Sequence, residues 1–302
     1  MRYVRNKDPK IVRLITIRTV ESRIWIPANA KTKRLIGGIL GRYQEIYGIE
    51  IFAYAILGNH YHLLLRAPKE NTDQFCENVN REIARRLNWQ HKRQGPLWAR
   101  RYTDQAVASN TDVMEAFLYV VSNPMHHGLV DNPKKWPGLG CYNHVIDEKD
   151  REFYFTHYSK KSKYKTKHYL KITPLPDLKS LTRKQRAKRI FKALQNMRSR
   201  INRRQNGMFL QFKDLLEQVV GGLPKNTKVS AKAPFYTRRL EMMKRLRNKI
   251  RSRQIAFAHA SYRYRMGDKN AVFPEFSFRP PTHRVPKPNL SGDEGDDFKP
   301  AA

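Results

Sequence analysis

The chain has little cysteine and lacks any long apolar run. Its only two cysteines among 302 residues, Cys76 and Cys141, form no metal-binding spacing and fit a reducing compartment. No stretch approaches the roughly 18 uninterrupted apolar residues of a membrane-spanning helix. The charged first ten residues contain no apolar signal-peptide core. These absences predict an intracellular, cytoplasmic protein.

Acidic residues are also scarce. There are 26 of them against 60 Lys and Arg, which gives a net charge of +34. A charge of that size says more about the partner than about the fold, and the usual partner is nucleic acid. An anionic membrane would require a long amphipathic segment with exposed Trp or Phe, and the sequence has none. We therefore predict a nucleic-acid partner, no membrane partner and an association with the nucleoid.

The positive charge is concentrated in the second half of the chain. Residues 151–260 hold 30 Lys and Arg but only five acidic residues. This asymmetry predicts a boundary near residue 150. We expect a catalytic-type domain over 1–150, a basic, mainly helical nucleic-acid-binding region over 151–272, and a Pro-rich disordered tail over 273–302.

The hydrophobic periodicity of the first 123 residues predicts alternating strands and helices. Strands are expected at 10–20, 49–57, 60–66 and 98–107, and helices at 29–47, 72–91 and 110–123. The resulting order, βαββαβα, predicts an α+β fold. In it, a ferredoxin-like four-stranded antiparallel sheet carries helices on one face and one additional terminal helix.

Two histidines stand in the third predicted strand, within the run Gly-Asn-His-Tyr-His-Leu-Leu-Leu. Because strand residues two apart share a face, His60 and His62 point the same way and could bind one divalent cation. Taken alone, such a pair is more often two ordinary strand histidines. The metal interpretation therefore needs a further ligand.

The last predicted helix of the first domain offers that ligand. Tyr119 and Asn123 are four residues apart, so they share one face of a helix. Asn123 could complete a metal site with the two imidazoles, and Tyr119 could attack a metal-bound phosphate. Each signal is weak alone, since most helical tyrosines are structural and Asn before Pro commonly ends a helix.

Together the two motifs resemble those of the single-tyrosine HUH transposases, in particular the REP-associated tyrosine transposases. The resemblance covers roughly residues 10–145. It implies a ferredoxin-like endonuclease domain that acts on single-stranded DNA, often beside a hairpin. It also implies that Tyr119 is the nucleophile, leaving a 5′-phosphotyrosine and a free 3′-OH. His60, His62 and Asn123 would hold Mg²⁺ or Mn²⁺.

One segment departs from the family pattern. The usual Asn-Pro-Val-Arg-Ala-Gly-Leu-Val reads Asn-Pro-Met-His-His-Gly-Leu-Val here, so His126 or His127 stands where a basic residue is expected. A phosphate contact at that point is therefore in doubt. Arg100, Arg101 and Tyr102 could clamp phosphates or stack on a base, or could equally form a solvated strand end.

Several alternatives remain open at this stage. The chain could be a non-catalytic, domesticated binder of hairpin DNA, or a replication-type nickase. The expected partner is single-stranded or hairpin DNA, with either a homodimer or a monomer possible. Aromatic residues interleave with the basic ones after residue 150, a pattern typical of proteins that hold single strands by backbone contacts and stacking. They are Phe153, Tyr154, Phe155, Tyr158, Tyr164 and Tyr169.

Overall fold

The computed structural model describes residues 5–158, 162–223 and 233–280. By compactness the chain divides into a large unit, residues 5–246, and a small unit that begins at residue 247. The predicted tail falls mostly on residues 281–302, which lie outside the described residues. None of the helices in the described ranges is long and apolar enough to cross a membrane.

Seven strands and eight α-helices make up the described chain. The strands are β1 (Arg13–Arg18), β2 (Glu50–Ile56), β3 (His60–Arg66), β4 (Thr103–Val107), β5 (Arg151–Tyr158), β6 (Lys163–Leu170) and β7 (Phe235–Tyr236). The helices are α1 (Ala30–Tyr47), α2 (Thr72–Gln90), α3 (Asn110–Val121), α4 (Asn123–His126), α5 (Tyr142–Asp147), α6 (Arg183–Arg204), α7 (Phe212–Leu216) and α8 (Leu240–Arg265). Most predicted elements of the first domain are present, although β4 is shorter than the predicted 98–107.

The main sheet has five strands in the order β2-β3-β1-β4-β7. The first four pair antiparallel, whereas the two-residue β7 pairs parallel with β4. The α+β class is thus confirmed, but the sheet is mixed and has five strands instead of the predicted four. A strand of two residues has no periodicity, so no sequence pattern could indicate it.

Helices cover both faces of this sheet. On β3, Tyr61 donates a hydrogen bond to the Asn80 side chain of α2 (2.6 Å), while the ring of its neighbour His62 meets Tyr119 of α3. Successive strand residues point to opposite faces, so α2 and α3 lie on opposite sides. Consistent with this, almost every residue of β2 and β3 is buried. α1 and α2 pack together, and α3, the additional terminal helix of the prediction, covers the second face.

The helix that carries Tyr119 ends earlier than predicted. α3 stops at Val121, and Asn123 begins the four-residue helix α4, with Pro124 in its first turn. Proline lacks an N–H and is tolerated in a first helical turn, where that donor would have no intrahelical partner. Pro124 therefore starts a new helix here instead of merely ending the old one.

The basic region after residue 150 is less helical than predicted. It begins with the antiparallel pair β5–β6, which packs against α1. Close packing is possible because α1 has glycines at the contact: the Phe153 ring lies over Gly37, and the Tyr154 backbone lies over Gly38. The longest helix that follows within the large unit is α6, whose apolar stripe is buried. That stripe is Ile190, Leu194, Met197 and Ile201.

The glycine contact generates a prediction about stability. In a helix interior, Gly38→Ala normally stabilises by about 1 kcal/mol through helix propensity. Here the new Cβ would overlap the carbonyl oxygen of Tyr154, and backbone cannot rotate away. We expect a net loss of about 1–2 kcal/mol in the free energy of unfolding, measured by urea denaturation.

The matched control is Arg34→Ala, on an exposed position of the same helix. It should change the free energy of unfolding by less than about 0.5 kcal/mol. If the Gly38→Ala protein were more stable than the wild type, the β5–β6 pair would not pack tightly against α1 at this position.

Candidate active site

The two histidines of β3 lie side by side on the face of the sheet that α3 covers. Strand register places His60 opposite Arg18 and His62 opposite Thr16 on β1. Both imidazoles are buried, with 2% and 1% exposure, and their ring centroids are 5.0 Å apart. The structure therefore brings the predicted histidine pair together on one face.

Each ring is oriented through its Nδ1 atom. The Asn59 amide donates to the Ser22 carbonyl (2.8 Å), which turns its oxygen toward His60 Nδ1 (2.6 Å). Since that oxygen can only accept, the proton of a neutral His60 sits on Nδ1 and the lone pair on Nε2. His62 Nδ1 lies 2.8 Å from the Thr16 hydroxyl. Metal-binding histidines are typically held in this way through their second nitrogen.

Tyr119 reaches the histidines from α3, whose apolar residues pack on the sheet. The helix begins at Ser109, whose side chain accepts a hydrogen bond from the Asp112 backbone N–H. Its buried face contains Val113, Ala116, Phe117 and Val120. Tyr119 is half-buried beside this face, with its ring centroid 5.3 Å from that of His62.

Asn123 is the polar group in the site whose burial is hardest to explain. It is completely buried, and neither its amide nitrogen nor its oxygen makes a hydrogen bond of standard geometry. Leaving a buried amide unsatisfied costs roughly 1–3 kcal/mol. Its amide lies at the Tyr119 phenol, and a buried amide oxygen without a standard hydrogen bond fits a cation ligand. The described residues contain no group of three or more His, Cys, Asp or Glu that could hold a metal ion.

The surroundings of Tyr119 act on its ionisation in both directions. Burial raises the pKa of the phenol, while the Asn123 amide and the guanidinium groups of Arg18 and Arg238 lower it. Burial also lowers the pKa of Arg18. The Tyr119 phenol raises that pKa, and the nearby charge of Arg100 lowers it further. No carboxylate in the described ranges forms an ion pair with Arg18. A half-buried cation thus stands beside the phenol.

The C-terminal part of the large unit also contributes to the site. The Tyr236 ring in β7 lies 6.5 Å from that of Tyr119. Next to it, the Thr237 hydroxyl donates to Asp112 (3.0 Å), and Arg238 approaches Glu115 (3.8 Å). These contacts fasten the segment to α3. Sequence reasoning missed Tyr236 and Arg238, and also Arg18, because none belongs to a motif.

The two histidines that replace the expected basic residue also lie at the site. The His127 ring is 4.8 Å from that of His60, and the His126 ring is 5.2 Å from that of Tyr119. Burial lowers the pKa of His126 to about 4. His126 is therefore neutral at pH 7 and brings no positive charge to a phosphate.

The predicted nucleic-acid contacts differ in their surroundings. Arg100 and Arg101 are exposed, as a phosphate contact requires. Tyr102 is buried, its hydroxyl donates to Asp73 (2.7 Å), and the Arg5 guanidinium lies 3.9 Å from its ring centroid. That ring face is covered in this structure, so stacking there would require Arg5 to move.

Comparison with known proteins gives three findings. Residues 15–121 match the IS200-like transposase family. The chain is 30% identical over 116 residues to a Haemophilus influenzae protein provisionally named a REP-associated tyrosine transposase. That match covers 34% of this chain and 65%, just under two thirds, of the relative.

The third finding is a solved structure of a REP-associated tyrosine transposase bound to a REP hairpin. Its TM-score is 0.41 at 15% identity, covering 48% of this chain and 83% of the other. The family match spans β1 to the end of α3, so it includes His60, His62 and Tyr119. The resemblance to the single-tyrosine transposases is thus confirmed for residues 15–121, which match the IS200-like transposase family.

Proposed function

We propose that the protein is a metal-dependent transposase or endonuclease that cleaves and rejoins single-stranded DNA near hairpin sequences. The observation that carries this proposal is the contact of Tyr119 with His62, which pairs with His60, and with the buried Asn123 amide. The IS200-like domain and the net charge of +34 support DNA as the substrate. We place its action in the cytoplasm, at the nucleoid.

We further propose that the first four strands form the ferredoxin-like unit of this domain. Their order, β2-β3-β1-β4, and their antiparallel pairing fit that plan. β7 then adds to its edge and brings Tyr236 and Arg238 to the nucleophile.

His60, His62 and Asn123 would hold the cation, Mg²⁺ or Mn²⁺. When bound, such an ion polarises a phosphate and favours the phenolate form of a nearby tyrosine. The protein ligands are two neutral imidazoles and one amide, so they bring no negative charge. Phosphate oxygens and water would complete the coordination, as is usual for Mg²⁺ at phosphate-transfer sites.

Tyr119 would carry out the cleavage. Its Oη forms a bond to the phosphorus as the bond from phosphorus to the 3′ oxygen breaks. The phenolic proton is released, the 3′ oxygen takes up a proton, and the 5′ phosphate remains on the tyrosine. Arg18 and Arg238 stand where they stabilise both the phenolate and the negative charge that develops on phosphate. Reversal of the same step rejoins a strand.

The first test of this function is covalent capture. With Mn²⁺ and a labelled single-stranded hairpin oligonucleotide, the wild-type protein should form an adduct that survives SDS gel electrophoresis. Tyr119→Phe removes the attacking oxygen and should abolish the adduct. Tyr236→Phe is the matched control, because it removes a phenol 6.5 Å away in ring-centroid distance.

The outcomes separate the competing functions. An adduct that persists in Tyr119→Phe but is lost in Tyr236→Phe would show that Tyr236, and not Tyr119, is the nucleophile. Tight hairpin binding without an adduct on any substrate would favour the non-catalytic binder.

The second test is the pH dependence of adduct formation. Only the phenolate attacks, so the rate should rise with pH until the tyrosine is ionised. Removing the cation in Arg18→Gln removes an effect that lowers the pKa of Tyr119, so this rise should move to higher pH. At pH 7 we expect the rate to fall by at least about tenfold.

Arg34→Gln, an exposed change on α1, should leave the pH profile of the wild type intact. An Arg18→Gln profile that is lower at every pH but unshifted would show that Arg18 binds DNA without acting on Tyr119.

The third test addresses the metal ligands. Asn123→Leu removes the amide oxygen while keeping similar volume, so Mn²⁺ affinity should fall by at least about tenfold in calorimetric titration. The thermal stability of the metal-free protein should change little, because the buried amide makes no hydrogen bond of standard geometry. The exposed His259→Ala is the control for nonspecific imidazole binding. Unchanged Mn²⁺ affinity in Asn123→Leu would exclude Asn123 as a ligand.

A further inference from the structure

The two-stranded sheet β5–β6 has one covered and one open face. On β5, Phe153 lies on α1 and Phe155 is 6% exposed, whereas the alternate residues Tyr154 and Tyr158 are 51% and 46% exposed. Tyr169 on β6 shares the open side, because its register partner Glu152 alternates with Phe153. It is 43% exposed. Three large aromatic rings thus stand on one solvent-facing surface.

Basic residues alternate with these rings. Register places Lys167 opposite Tyr154, Lys165 opposite Thr156 and Lys163 opposite Tyr158, and all three lysines are exposed. Directly opposed residues share a face, so the lysines project beside the tyrosines. We call this surface of Tyr154, Tyr158, Tyr169, Lys163, Lys165 and Lys167 the tyrosine–lysine face.

The rings on this face lie among charged groups. The Tyr154 and Tyr169 hydroxyls and the Lys167 ammonium, which is 3.2 Å away, lower the pKa of the Glu152 carboxylate. Lys163 lies 5.6 Å from the Tyr158 ring centroid. Glu152 is the only carboxylate on the open side of the pair, so three ammonium groups outweigh one acid. The face is therefore positive and presents aromatic rings.

The aromatic surface continues onto α2. The Trp89 ring is 6.2 Å from that of Tyr158 and is 74% exposed, although tryptophan is among the side chains least suited to water. Arg86 lies 5.3 Å from the same tyrosine ring. The transposase domain and the hairpin after it thus contribute to one continuous patch.

We propose that the tyrosine–lysine face binds single-stranded DNA, with bases stacked on the tyrosines and phosphates on the lysines. Aromatic rings interleaved with cations are the arrangement by which proteins hold single strands without reading sequence. A duplex hides its base faces, so it could use the lysines but not the rings. An apolar protein partner would leave the ammonium groups unpaired. The choice of DNA over RNA rests on the function proposed above.

The test measures binding in a protein that cannot cleave. In the full-length Tyr119→Phe background, affinity for a fluorescent oligodeoxythymidylate of about 20 nucleotides is compared with and without Tyr154→Ala, Tyr158→Ala and Tyr169→Ala together. Stacking on a protein ring contributes enough that the triple variant should bind at least about tenfold more weakly. The corresponding triple Phe variant keeps the rings and should stay within about twofold of the parent.

Three comparisons make the result specific. Tyr262→Ala removes a more exposed tyrosine outside this face and should leave affinity unchanged. Duplex DNA should be bound equally by the parent and the triple Ala variant. Lys163→Gln with Lys165→Gln should make the dependence of log affinity on log salt shallower by about 1.4, the value for two phosphates on a single strand.

The proposal fails if the triple Ala variant binds single strands within about twofold of the parent. It also fails if duplex affinity falls equally, because the rings would then only support the fold. Equal affinities and equal losses with RNA of the same length would overturn the assignment to DNA. These results do not depend on cleavage, so they are separate from the covalent-capture test of Tyr119.

Discussion

The packing of α3 across the histidine face of the sheet is the constraint on which the site depends. Two imidazoles and an amide are buried beneath it, where unpaired polar groups are costly. Thr16 and Asn59 offset that cost for the histidines, while the apolar side of α3 supplies the packing that closes the site. Moving α3 away would hydrate the rings and separate Tyr119 from them, so the proposed nucleophile and the proposed ligands form a site only together.

The basic region after residue 150 is tied to this arrangement in two places. β7 extends the main sheet and fastens the start of α3 through Asp112, which sets Tyr236 and Arg238 beside Tyr119. On the opposite side of the sheet, the β5–β6 pair rests on the glycines of α1. A region that looks in sequence like a separate basic extension is thus partly structural support for residues 15–121, the part that matches the IS200-like family.

Sequence reasoning succeeded where a short-range period governs the structure. The spacing of His60 and His62 placed both rings on one face because a strand alternates with period two. It failed for the end of α3, which was predicted at residue 123 but lies at Val121, since proline can begin a helix as well as end one. It also missed the strand around Tyr236 and the cation Arg18. Their positions depend on contacts with distant segments, which no local pattern records.

The charged groups around the site are unevenly distributed. The chain carries +34, yet the proposed metal ligands include no carboxylate, and burial keeps His126 uncharged at pH 7. The cations Arg18 and Arg238 instead lie near Tyr119, where they lower the pKa of its phenol. A carboxylate ligand would hold a cation firmly but repel phosphate. Ligands without a carboxylate, flanked by guanidinium groups, would leave the negative charge to the substrate, which is why we propose that a DNA phosphate completes the site.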